Sequence, residues 1–218
     1  VKNLPATWLR GLLGTLGAAQ TSAGEVDADL ALDLLEHGLR SSGQFVLRGV
    51  GVDTPTGTLA TQNLGASGRF DVSSNATSSR VDLDASLKGG EILLSPLYAQ
   101  LPEHPVRLSL RVVTQSGAMQ ISRLRVNDAD ALQLGGALAI DAKGSLTSLR
   151  LTDFHASFPA AYTRYGQAWL ASLGLRDASV SGDLNGSLDL RADGLHGFAF
   201  STPGLDFHDA SGALGING

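Results

Sequence analysis

Val180-Ser-Gly-Asp-Leu-Asn-Gly-Ser-Leu-Asp-Leu-Arg191 decides how the rest of the chain is read. Val180, Gly182, Leu184, Gly186, Leu188 and Leu190 hold every second place, and Ser181, Asp183, Asn185, Ser187, Asp189 and Arg191 stand between them. Successive side chains on a strand point to opposite sides, so a period of two means a strand with one greasy and one wet face. Moving outward, Val26, Ala28, Leu30, Leu32 and Leu34 alternate with Asp27, Asp29, Ala31 and Asp33. Val81 to Leu87, Val106 to Val112 and Leu132 to Ile140 do the same. At Met119, Ile121, Leu124 and Val126 the phase slips by one, which reads as a β-bulge near Ser122 and Arg123.

Turn residues punctuate these runs at Asp53-Thr-Pro-Thr-Gly57, Ser73-Ser-Asn75, Lys88-Gly-Gly90, Ser116-Gly117, Lys143-Gly144 and Thr202-Pro-Gly204. Spacings of roughly 8 to 14 residues suit hairpins joined by short loops, and on the order of a dozen strands are expected. Helices are few. Pro5 to Leu16, with the stripe Leu4, Trp8, Leu9, Leu12, Leu13 and Leu16, and Pro159 to Leu173, with Tyr162, Tyr165, Trp169, Leu170 and Leu173, each open on proline and end at glycine. A further helical turn is expected at Ser95 to Leu101. The pattern LDLxxxGL occurs at Leu32–Leu39 and Leu188–Leu195, each after a Pro-Ala helix, which suggests pseudo-repeats over 5–74 and 159–217 within one segment, 1–218.

Composition narrows the functions. The 218 residues carry a formal charge of -5, 27 glycines and no cysteine, with 17% charged residues. A thiol nucleophile, a thiolate metal site and a disulfide scaffold are thereby excluded. The 16 lysines and arginines are scattered, so no nucleic-acid partner is expected. Asp27, Asp29 and Asp33 fall on the wet face of a strand, where solvation explains them better than acid–base chemistry. His37, His104, His155, His196 and His208 share no metal-ligand spacing. Gly65-Ala-Ser-Gly68 is no nucleophile elbow, and Gly49-Val-Gly51 lacks the third glycine of a dinucleotide loop. Asn75-Ala-Thr77 and Asn185-Gly-Ser187 match the glycosylation triplet, which matters only in a eukaryotic secretory context. No enzyme activity, cofactor or metal is expected.

A half-buried sheet must hide its apolar face, and short helices cover only part of a dozen strands. A sandwich, a closed barrel, or a curved sheet with a ligand on its apolar face all answer this. A lining of Leu, Val, Ala and Gly has nothing to hydrogen-bond with and suits acyl chains, at about 0.8 kcal/mol per buried methylene.

The glycine-punctuated strands such as Val180 to Ala192, the LDLxxxGL element and the Pro-initiated helices resemble the AsmA-like superfamily of bacterial envelope proteins, the group of TamB, YhdP and YdbH. Gly89-Gly-Glu-Ile-Leu-Leu-Ser-Pro-Leu-Tyr98 and His104-Pro-Val-Arg-Leu-Ser-Leu110 look most like the YdbH branch. The resemblance spans the chain but rests on pattern, without a catalytic signature. It implies an all-β, elongated, twisted antiparallel sheet forming a taco-like hydrophobic groove in the periplasm of a Gram-negative bacterium. It also implies an inner-membrane anchor outside this segment, phospholipid or another acyl-chain lipid as cargo, and an outer-membrane or periplasmic protein as a possible partner. The present segment is then expected to be a piece of a longer protein, with Ser211 to Gly218 a strand cut in the middle. Leu30, Leu32, Leu83, Leu87, Leu108, Leu110, Leu134, Leu138, Leu184, Leu188 and Leu190 would line the groove, and Arg10 and Arg164, on helices that gate lipid entry, would meet headgroups. The competing expectation is a β-sandwich or spacer of the cell envelope that binds no lipid.

Overall fold

The computed structural model describes residues 2–9, 20–55, 57, 59–94, 97–172, 174, 178–209 and 215–216. The protein is all-β, one open antiparallel sheet. Its strands are β1 (Leu4–Pro5), β2 (Gln20–Leu35), β3 (Gly38–Asp53), β4 (Leu59–Asn75), β5 (Ser78–Lys88), β6 (Glu91–Leu94), β7 (Leu97–Gln100), β8 (Val106–Gln115), β9 (Ala118–Asp128), β10 (Leu132–Ile140), β11 (Leu146–Phe158), β12 (Ser179–Arg191), β13 (Gly194–Ser201), β14 (Asp206–His208) and β15 (Gly215–Ile216). They lie side by side almost in chain order, β1-β2-β3-β4-β5-β8-β9-β10-β11-β12-β14-β15. Short hairpins make this the shortest path, since an antiparallel neighbour needs only a tight turn. No second sheet packs on it among the described residues, so the sandwich solution to the covering problem is not the one adopted.

Two strands divide their ladders. Residues 65–74 of β4 pair with β5, and residues 59–62 with β6, whose hairpin partner is β7. Residues 185–191 of β12 pair with β13, and residues 179–181 with β14. Gly90, at φ 76°, makes the first branch possible, because a Cβ there would collide with the backbone of Gln62 and Asn63.

The bulge is present where the phase slips: Arg111 faces Arg123, Val112 faces Ile121, and Ser122 is looped out. The helical turn expected at Ser95 to Leu101 is a correction. Leu97 to Gln100 form β7 against β6, because the five residues between Pro96 and Pro102 meet the cost of helix nucleation for almost no hydrogen bonds, whereas the neighbouring strand offers a full ladder. Of the N-terminal helix, Ala6–Leu9 form a 3-10 turn, and 10–19 lie outside the described residues. The second helix forms as a π-turn (Tyr162–Gly166) running into α1 (Gln167–Ser172). Tyr162 is buried but Trp169 is 49% exposed, because a π-turn takes up an extra residue and rotates the following face away from the sheet. Both LDLxxxGL segments are hairpins whose turns share a register, Leu34 opposite Leu39 and Leu190 opposite Leu195, but a bulge in the second sets Asp189 opposite Gly197 where Asp33 faces Arg40.

The connections differ at the two margins. One margin carries tight turns, around 36–37, 76–77, 116–117 and 192–193; the other carries the longer excursions. Those excursions bend over the sheet and bury apolar residues of the strands beneath them. Ala6 packs on Val26 and Val50, Leu101 on Leu64 and Val106, Ala161 on Ala131 and Ala156, and Tyr162 on Ala178 and Val180.

Candidate functional site

Strand pairing assembles the alternating residues into rows that cross the sheet. One row runs Leu30, Gly43, Phe70, Leu83, Leu110, Leu124, Gly136, Leu151, Leu188, Phe198. Flanking it are Ala28, Phe45, Gly68, Ala85, Leu108, Val126, Leu134, Phe154, Gly186, Phe200, and Leu32, Ser41, Val72, Val81, Val112, Ile121, Leu138, Leu149, Leu190, Leu195. At about 4.8 Å per strand and 3.3 Å per residue these rows make an apolar field about 45 Å wide and about 20 Å deep. Residue by residue, all eleven leucines of the expected lining fall on this one face. Leu87 and Leu184 sit at the covered margin, beside Val106 and Ala156.

The covering excursions reach only the row nearest their margin, where Ala28, Val126 and Phe154 pack against the buried clusters; Leu83, Leu110 and Leu188 are half-buried. Leu30 is 53% exposed, Leu32 61%, and Phe198 66%. Phe45 and Phe70 pack on one another with ring centroids 6.5 Å apart, as do Phe198 and Phe200 at 6.2 Å, so aromatic contacts order the field from within. Toward the tight-turn margin the next row, Leu34, Leu39, Ser74, Ser79, Thr114, Met119, Ile140 and Leu146, is polar only at its centre, where Ser79 Oγ lies 3.0 Å from Thr114 Oγ1.

Where the covering excursions meet the sheet, Asp128 is fully buried. The Tyr165 hydroxyl donates to its Oδ2 at 2.7 Å, the Arg164 guanidinium donates to the same oxygen at 2.8 Å, and His104 Nε2 lies 2.7 Å from Oδ1. Arg164 also grips Asp130 with two further bonds, at 2.7 and 3.1 Å. Donors from the π-turn and from the segment before β8 thus converge on the end of β9. The Arg164 bond holds the Asp130 carboxyl well below the usual carboxylate range. Burial, and then the bond to Asp128, push the Tyr165 phenol well above its ordinary value. His104, Asp128 and Asp130 offer ligand atoms within 4.8 Å of one another, the spacing a metal ion needs. The Arg164 guanidinium already supplies the positive charge there and occupies both carboxylates, so these residues fit an ion-pair clasp better than a metal site. This also places Arg164: it is engaged by two aspartates at the covered margin, and Arg10 lies outside the described residues. Composition did not single out the clasp, yet one signal was there. In Val126-Asn-Asp128 the aspartate falls on the apolar phase, where a carboxylate has to find partners.

The opposite face is wet, and many of its charges pair with one another. Asp27 holds Arg48 and accepts from the Asn3 amide, and both bonds keep its carboxyl low. Burial acts to raise the Asp82 carboxyl, but hydrogen bonds from Arg111 and Arg80 outweigh it and the net direction is down. Asp29 pairs across to Gln44 and Asp33 to Arg40, in keeping with a solvated strand face. Ser157, His155 and Asn185 form a chain of 3.0 and 2.6 Å contacts, but the serine hydroxyl also donates to Asp183 at 2.7 Å, which takes the proton a base would need. A depression of about 910 Å³ lies on this wet face, where Asp29, Gln44, Ser67, Arg69, Asp84 and Arg107 contribute to its lining. No described helix is long and apolar enough to cross a membrane. Comparison with protein-family models, curated proteins and solved structures finds no match.

Proposed function

We propose that this chain is a segment of a lipid-transfer protein of the Gram-negative periplasm, carrying phospholipid acyl chains on its apolar face between the inner and outer membranes. The observation that supports this reading is the field of apolar rows across ten neighbouring strands, covered only along one margin by the excursions. A soluble monomer rarely leaves so large a contiguous apolar patch to water. Acyl chains satisfy it without any hydrogen-bonding partner, at about 0.8 kcal/mol per methylene buried, so a chain of about 16 carbons gains roughly 10 kcal/mol before ordering costs. The role calls for no catalytic group. Headgroups stay in water, and the tails lie across or along the rows that contain Leu83, Leu110 and Leu188.

The test is lipid capture. A photoreactive residue at position 110, on the apolar face, is expected to cross-link phospholipid, while one at position 109, on the wet face, is not. The double substitution Leu110→Asp with Leu188→Asp is expected to abolish lipid recovered in organic extracts while leaving the strand signature in circular dichroism. A folded wild-type chain with a lipid-free extract, or equal cross-linking at 109 and 110, would favour an envelope spacer and reject the lipid reading.

A further inference from the structure

On the wet face, strands β9, β10 and β11 enclose a depression of about 580 Å³ lined by Arg123, Arg125 and Arg150. Its floor is Gly135, in register between Arg125 and Asp153, so no side chain rises there and a ligand can approach the sheet backbone. Three guanidiniums converge on it. Arg125 and Arg150 have no carboxylate within ion-pair distance among the described residues, and Arg123 reaches Asp82 and Asp84 only at 3.8 and 3.9 Å. Arg123 Nε is buried with no hydrogen-bond acceptor, which leaves the terminal nitrogens of its guanidinium as its reachable donors. Asp153 lines the same depression, and Asp189 stands in register with Arg150 but is bonded to Arg191. Within the lining, three guanidiniums stand with one carboxylate, Asp153.

We propose that this depression binds an oxyanion of the phosphate or carboxylate class, held by charge-assisted bonds from Arg123, Arg125 and Arg150. Planar guanidiniums present paired donors to such groups. The site is on the face opposite the apolar field, so it stands independently of the lipid reading and is not the headgroup position of a lipid lying on that field.

The test is titration of the whole chain with inorganic phosphate by calorimetry at low salt, with flotation on phosphatidylglycerol vesicles against phosphatidylcholine vesicles as the second arm. Saturable binding of phosphate, weakened about tenfold or more in Arg125→Gln with Arg150→Gln and partly kept in Arg125→Lys with Arg150→Lys, is the expected result. Flotation on phosphatidylglycerol alone, lost in the same glutamine variant, supports the site with the anion borne on a headgroup. The proposal is overturned if neither probe binds, or if binding survives the glutamine variant. Equal weakening by Arg40→Gln with Arg69→Gln, elsewhere on the wet face, would likewise mean a general charge effect and reject it.

Discussion

Asp128 is the side chain whose loss should cost most. Replacing it with alanine strands Arg164, Tyr165 and His104 around a cavity that held a carboxylate, and removing one member of a buried ion pair costs roughly 3 kcal/mol or more. A drop of about 6 to 12 °C in the melting temperature is expected for a chain of this length, and thermal melts of Asp128→Ala check it. Acid should act in the same direction. Asp27, Asp82, Asp130, Asp189 and Asp193 all have folded carboxyls held below their ordinary values, mainly by arginine or histidine partners. Their stabilisation is complete above the unfolded value of about 3.9 and is lost as pH falls through that value toward the folded ones. Melting temperature is therefore expected to decline as pH falls from about 5 toward 2, and less steeply in Asp82→Asn, when melts are run across that range.

Strands and caps differ in how visibly they were written in the chain. The strands were legible because period-two alternation at Val26 to Leu34, Val81 to Leu87 and Val180 to Leu190 is a local signal, and the bulge at Ser122 and Arg123 could be read from a single phase slip. The eleven leucines share one face for the same reason. β7 was not legible, because Leu97 to Gln100 is too short to show a period and its state depends on β6 beside it. The clasp was equally hidden: His104, Asp128 and Arg164 are 24 and 36 residues apart, and only the turn geometry brings them together. Since Arg164 and Tyr165 carry most of the attachment of the π-turn to β9, Arg164→Ala with Tyr165→Phe is expected to loosen residues 159–172 first. Hydrogen exchange should then speed up there while the amides of β8 and β9 keep their protection; uniform acceleration along the chain would contradict a local clasp.

Across the molecule, nearly every long strand touches only its neighbours in the chain, and the first and last strands lie at opposite ends of the row. Such an arrangement approximates a one-dimensional array, in which damage at one strand is felt mainly by the strands on either side. Mechanically, a pull applied at the two termini is directed across the ladders rather than along them. Each hairpin then opens bond by bond like a zipper, instead of resisting in parallel shear. An optical-trap recording should show many small yielding events of one hairpin's length each, beginning at the edges, and a single abrupt rupture would contradict it. A sheet strung together this way yields under tension a little at a time, and the strands not yet reached keep their shape.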